Sequence, residues 1–357
     1  MKFWFFLFIS HFSVAQIIFR VDTKNPEIKF ENFTISSIEM TKSGQNKSFG
    51  EIFNTDGRKV QVGFERSVPE TIFKYYSKYN LGSQPKVKIL FKIKNLELTE
   101  KKSGNNIEGR INYEIEAYSV LQNDTTRLCR ANNKGQYSRS LSGKNIENVQ
   151  NQVKIAIDGG LSYVVNYIKN FGSQLEAFAT DSEVKIFPFF SKSSADTVYY
   201  QQRKVGWNDF LGPIRDKSGY GAAIFTSFGY DSKIFVENHK IIVEIRPSVF
   251  TDKNMSWAKP EIKNDKGLRH EQLHFDISYL NSLLFLQKIK SFKAETRDDL
   301  ISMIKYEYLE FYRSTHKMQE KYDEESDHSL NTFQQKQWES KVAYQIKSID
   351  LKTIFNH

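Results

Sequence analysis

The stretch R-H-E-Q-L-H-F-D-I, Arg269 to Ile277, restricts the folds open to this chain more than any other. His270 and His274 are four residues apart, so an α-helix sets both imidazoles on one face, about 5–6 Å apart at Cβ, where they can reach one metal ion. Glu271 stands beside the first histidine, close enough to take a proton from a water at an open coordination position. Apolar residues continue at Leu273, Ile277, Leu280 and Leu284, the spacing of a buried helical stripe. With seven histidines in 357 residues, H-E-x-x-H arises by chance in roughly 0.01 such chains. The plainer alternative is a pair of core histidines hydrogen-bonded to backbone.

Residues 1–15, M-K-F-W-F-F-L-F-I-S-H-F-S-V-A, carry one lysine, a short apolar run from Phe3 to Ile9, and small residues at Ser13 and Ala15. That is the pattern of a cleaved signal peptide, and it implies a secreted or periplasmic protein. The run falls short of the ~20 residues that span a bilayer, and no later stretch is longer, so no transmembrane segment is expected. Cys129, the single cysteine, lies far from this segment, so neither a lipid anchor nor an internal disulfide is expected. The net charge of +9 is spread along the chain without a dense basic run or a nucleic-acid motif, and no nucleic-acid partner is expected.

The remaining length, with 39% hydrophobic residues, suffices for two domains. Residues 16–182 read as an α+β module, an antiparallel sheet with helices on one face. Pro85–Leu98 and Ile111–Leu121 alternate apolar and polar residues as half-buried strands do. A short helix runs through Ile72, Tyr75 and Tyr76. A longer one spans Val149–Phe171, interrupted at Gly159-Gly160. No catalytic constellation is visible there, and the module is expected to contact an envelope protein partner or to act as a spacer. Residues 183–357 read as a mainly helical, zincin-like domain with a small sheet. Its strands are Ala222–Tyr230 and Ile241–Phe250, the latter a candidate to pair with an extended substrate. Asn264-Asp265 signals the start of the H-E-Q-L-H helix. Thr296 with Asp299 resembles a helix cap, with Leu300, Ile304, Tyr308 and Phe311 on the buried face that follows. Lys321–Ser329 reads as a polar break, and Phe333, Trp338, Val342 and Ile346 mark a last helix.

Catalytic zinc needs a third protein ligand. The residues after His274 lack the glycine and histidine of the extended H-x-x-G-x-x-H pattern. His328, beside Asp323 and Asp327, is the favoured ligand, with Glu295, Glu307 and Asp323 as alternatives. L-R-H-E-Q-L-H-F-D-I, Y-D-E-E-S-D-H-S and Gln337-Trp338, with Trp207-Asn-Asp209-Phe210 and Ser256-Trp257 upstream, resemble a bacterial domain-of-unknown-function family described as secreted zinc-dependent proteases. The resemblance covers roughly residues 184–342. It implies metal-binding histidines at His270 and His274 and a catalytic glutamate at Glu271. The family's tyrosine-aspartate and threonine-histidine-glycine pattern falls on Tyr322, Asp323, Ser326, His328 and Ser329, with serine replacing the threonine and the glycine.

The expectation is a secreted zinc metallopeptidase acting on a peptide or protein substrate. Zn²⁺ is held by His270, His274 and His328, Glu271 is the general base, and Tyr322 or Arg313 donates to the oxyanion. Asp276 or Asp323 orients an imidazole. The competing expectation is a non-catalytic envelope protein whose metal only braces helices.

Overall fold

The computed structural model of the protein describes residues 16–30, 32–41, 47–79, 87–121, 124–142, 146–192 and 194–356. The expected signal peptide lies outside them. The chain divides into two compact units between Phe178 and Ala179. Among the described residues 39% are helical and 37% in strands, in two sheets and six helices, so the fold is mixed α/β.

In the first unit β1 (Gln16–Phe19), β3 (Ser48–Phe53), β4 (Lys59–Phe64), β5 (Val87–Ser103), β6 (Asn106–Leu121) and β7 (Asp124–Ser140) follow the order β1-β4-β3-β5-β6-β7 across one sheet, and β2 (Phe33–Met40) pairs with β5. The β5-β6-β7 meander is antiparallel. β3 and β4 are antiparallel as well, but β1 on β4, β2 on β5 and β3 on β5 run parallel, which departs from the antiparallel expectation. Gly104 at φ +60° supplies the left-handed residue that the two-residue turn from β5 to β6 requires.

Helix α1 (Val68–Ser77) begins with a reciprocal cap between Ser67 and Glu70. Helix α2 (Ile146–Phe171) is continuous, not interrupted at Gly159-Gly160. The two glycines serve close packing: a Cβ on Gly160 would meet the Tyr113 ring at 2.6 Å, and one on Gly159 would meet Asn133 at 3.0 Å. Apolar side chains of α1, α2 and the sheet, among them Ile72, Phe91, Ile115, Ile157 and Val164, form the core of this unit.

In the second unit β10 (Ala222–Glu237) and β11 (Lys240–Ala258) form a long antiparallel hairpin. Asn238 and His239, at φ 50° and 60°, make its two-residue turn. The other side of β11 takes β8 (Asp181–Ile186) in parallel and β9 (Thr197–Tyr199) antiparallel. Ile241–Phe250 therefore lies in a central strand with both edges occupied and has no edge to offer a substrate. β10 forms one edge of this sheet, and β8 and β9 lie along the other.

Helices α3 (Asp265–Ile289), α4 (Arg297–Ser326), α5 (Thr332–Ser348) and α6 (Leu351–Ile354) complete the unit. With strands of 16 and 19 residues beside them, the sheet is larger than expected. One core joins the sheet to α3 and α4 through Val184, Ile245, Phe275, Phe285 and Leu300. A second gathers Leu273, Ile277, Leu280, Tyr322, Trp338 and Val342 where α3, α4 and α5 meet. Leu284, expected on the buried stripe, is 37% exposed, and Leu283 is buried in its place. Among the described residues no helix is long and apolar enough to cross a membrane.

Candidate metal centre

Asn264 starts α3 by accepting hydrogen bonds from the main-chain N–H groups of Lys266 and Gly267, both at 3.0 Å. The Trp207 indole donates to the Asn264 carbonyl at 3.3 Å. A Cβ on Gly267 would come 2.6 Å from the Ile262 carbonyl oxygen, so glycine lets the first turn seat against the preceding segment. These contacts set the phase of the helix, and the second and third turns present His270 and His274 on one face, with ring centroids 5.0 Å apart. Both histidines and Glu271 are buried.

The facing residue comes from α4. This helix does not stop at Lys321 but continues through Ser326, so Asp323 lies in its last turn. Asp323 Oδ1 is 3.0 Å from His270 Nε2 and 2.9 Å from His274 Nε2, and the three candidate ligand atoms lie within 4.8 Å of one another. Close as it is to both nitrogens, Asp323 Oδ1 is buried and makes no aligned hydrogen bond. Two atoms each ~2.0–2.1 Å from one zinc ion stand about 3–3.4 Å apart, so the spacing of Asp323 Oδ1 from each histidine is close to that of two ligands of one ion. Burial would raise the Asp323 carboxyl, but the His270 and His274 imidazoles beside it hold it well below the usual carboxylate range.

Behind His270 the Tyr322 hydroxyl lies 2.7 Å from Nδ1 and donates to Gln335 Oε1 at 2.6 Å. Gln335 Oε1 is itself 3.2 Å from His270 Nδ1, and its amide donates to Glu339 at 3.0 Å. This arrangement leaves Nδ1 carrying the proton and turns Nε2 toward Asp323. Tyr322 is fully buried, ring against ring with His270. It is thus placed to orient a histidine and not, as expected from sequence, to meet a substrate oxyanion. Trp338 packs against Tyr322 at 5.6 Å and donates to Glu325.

Glu271 Oε2 accepts the main-chain N–H of Ile224 at 2.9 Å. The β10–β11 register shifts between Ala223 and Phe225, and the bulge releases the Ile224 N–H from the ladder. Burial pushes the Glu271 carboxyl up to about 7, against the opposing pull of His270 and of that N–H. A dication in the triad would add positive charge beside it and lower it again.

His328 is not one of the three converging residues. Its ring is about half exposed, with Nδ1 3.8 Å from Asp323 Oδ1. The three-histidine set expected from sequence becomes two histidines and an aspartate, because the extra helical turn carries Asp323 inward and His328 past it. Neither glutamate joins the triad: Glu307 pairs with Lys288 at 2.7 Å and Glu295 is exposed. Arg313 is exposed and paired with Glu310. Asp276 accepts from Tyr200 and Gln272 rather than from a metal-facing histidine. Sequence reasoning missed Gln335 and the Ile224 N–H. A glutamine has no chemical signature of its own, and a main-chain donor has no letter at all.

No family model matches the chain, and no curated protein matches it. Among solved structures, the protein XCC0632 from Xanthomonas campestris, of the family DUF330, aligns at 10% identity and TM-score 0.29, over 44% of this chain and 96% of that one. A minor lipoprotein from Acinetobacter baumannii aligns at 14% identity and TM-score 0.23, over 40% of this chain and 94% of that one. Likeness at this level carries no conclusion about this chain.

Proposed function

We propose that the second unit is a zinc-dependent, zincin-like peptidase whose metal is held by His270, His274 and Asp323. The observation that carries this reading is the buried Asp323 Oδ1, which faces two imidazole nitrogens at 2.9 and 3.0 Å without a hydrogen bond. Imidazole with carboxylate is a ligand set that suits zinc. A closed structural site takes four protein ligands, and among the described residues three converge, which leaves a position for substrate chemistry. Bound there, zinc supplies Lewis-acid activation of a water and of the carbonyl it attacks.

Glu271 accepts the proton of the attacking water as its oxygen bonds to the peptide carbonyl carbon. The same carboxyl then gives that proton to the amide nitrogen as the C–N bond breaks, leaving an amine and a carboxylic acid that loses its proton to solvent. The Ile224 N–H holds one carboxyl oxygen of Glu271 and so fixes the other. Tyr322 and Gln335 hold His270 in the tautomer that ligation requires. An extended peptide would add to the free edge of β10 near Ile224, and the occupied edges of β11 support that choice. Further along, the Tyr308 hydroxyl takes the Phe228 carbonyl and closes the edge.

The apolar run at Phe3–Ile9 supports export to the periplasm or beyond. The first unit, in this reading, contributes a contact with an envelope partner rather than chemistry.

The test is elemental analysis of the purified protein with peptide hydrolysis beside it. We expect about one zinc per chain in the wild type and in Glu271→Gln, loss of zinc in Asp323→Ala and His270→Ala, and a ~10²–10⁴-fold lower kcat in Glu271→Gln. Zinc binding without hydrolysis in the wild type would leave a metal that only braces α3 and α4. Retention of zinc by Asp323→Ala would remove Asp323 from the ligand set.

A further inference from the structure

The turn after α4 is built at a conformational cost that ending a helix does not explain. Asp327, His328 and Ser329 have φ of 46°, 47° and 78°, three successive non-glycine residues in the left-handed region. One left-handed residue is enough to cap a helix. The other described non-glycine residues with positive φ are Asn238 and His239, where the two-residue hairpin turn demands it. The turn is tied at several points: His328 N–H to the Asp323 carbonyl at 3.0 Å, Leu330 N–H to Asp327 at 2.9 Å, and Asn331 N–H to Ser326 at 2.8 Å. Lys266, in the first turn of α3, donates to the Leu330 carbonyl at 3.3 Å. Strain that is held this firmly belongs at sites where a side chain must be aimed.

What it aims is the His328 ring. The ring stands at the more exposed side of the triad, with Nδ1 3.8 Å from Asp323 Oδ1, too far for a hydrogen bond. Among the described residues neither of its nitrogens has a hydrogen-bond partner, and the Tyr220 ring meets it at 4.8 Å and 64°, which fixes its plane. The donors expected from sequence are spent: the Tyr322 hydroxyl is buried behind His270, and Arg313 is on an exposed face with Glu310.

Resting on the peptidase reading above, we propose that His328 is the hydrogen-bond donor to the carbonyl oxygen under attack, acting beside the metal and not as one of its ligands. As water adds to the carbonyl carbon, the C=O electron pair moves to that oxygen. The imidazole N–H stabilises the negative charge until the pair returns and the C–N bond breaks. Tyr220 is a positioning residue for the ring.

The experiment uses the full-length, zinc-loaded chain with His328→Ala and His328→Gln, and the peptide it cleaves fastest from a mixed-sequence library. Zinc content and the visible spectrum of the cobalt-substituted protein should be unchanged in both variants. A phosphonamidate of the cleaved sequence, which mimics the tetrahedral oxygen, should bind His328→Ala ~10²-fold more weakly, with kcat down by a similar factor and KM within about threefold. His328→Gln, which keeps an N–H, should recover part of both. Loss of zinc or an altered cobalt spectrum in His328→Ala would make His328 a ligand and overturn the proposal. Undiminished phosphonamidate binding would reduce it to a structural turn residue, while the peptidase reading stood. A zinc-loaded wild type that cleaves no peptide would end both.

Discussion

Ile224 donates its main-chain N–H to Glu271 Oε2 across 2.9 Å, and the bulge in β10 frees that N–H to do so. A buried carboxyl beside two histidines is thereby fixed by backbone rather than by a side chain that could swing away.

Proline at position 224 deletes this donor. Ile224→Pro should destabilise the second unit by about 1–3 kcal/mol, because a buried carboxyl loses its partner. Ile224→Val keeps the N–H and should cost about 0.5–1.5 kcal/mol. Trp207, Trp257 and Trp338 all lie in this unit, so urea unfolding followed by tryptophan fluorescence reads it directly. Equal midpoints for the two variants would show that the bond contributes nothing.

Tyr322→Phe removes one hydroxyl and keeps the ring that packs on Trp338. His270 loses its closest Nδ1 partner, and zinc affinity should fall ~10–100-fold, measured by competition with a chelator. Unchanged affinity would mean that Gln335, at 3.2 Å, orients the ring alone.

Acid stability should show the ion pair at the head of this unit. Burial raises the Asp209 carboxyl, but the Arg203 fork at 2.6 and 2.7 Å, the Gly206 N–H and Lys253 more than offset it, so the carboxyl ends below its usual value. A depressed folded-state value contributes stability that is present above the unfolded value, near ~4, and is lost as pH falls through the folded one. Urea midpoints of the second unit should therefore drop below about pH 4, and drop less steeply in Asp209→Asn. Parallel curves for the two proteins would assign the acid loss to other carboxyls.

In the first unit, Gly160→Ala would drive a methyl to 2.6 Å from the buried Tyr113 ring and should cost about 1–3 kcal/mol. Gly135→Ala meets Ile111 only at 3.8 Å and should be neutral or stabilising by up to about 1 kcal/mol. Calorimetry of the two-unit chain separates the transitions, and a Gly160→Ala transition at the wild-type temperature would contradict the close packing.

The H-E-Q-L-H helix was legible because its chemistry and its apolar stripe coincide, and the caps at Asn264 and Thr296 formed where the residues indicated. β7 was not legible. Its inward residues include Cys129, Ala131, Asn133 and Gly135, small or polar because α2 packs close, so no alternation of large apolar side chains appears. The end of α4 hid for a related reason. Beyond Phe311 its buried residues are Tyr322 and Ser326, and a helix that buries a hydroxyl-bearing face looks like a loop when read by hydrophobicity. Asp323 therefore stood only among the alternatives, and the greater weight went to His328.

The triad also has a meaning for the folding of the chain. His270 and Asp323 lie at either end of a segment of about fifty residues that contains the rest of α3 and nearly all of α4. An ion held between them closes that segment into a loop, as a removable cross-link would. Because only the folded chain brings the ligands together, the binding free energy of the ion would add to the stability of the helix pair α3–α4.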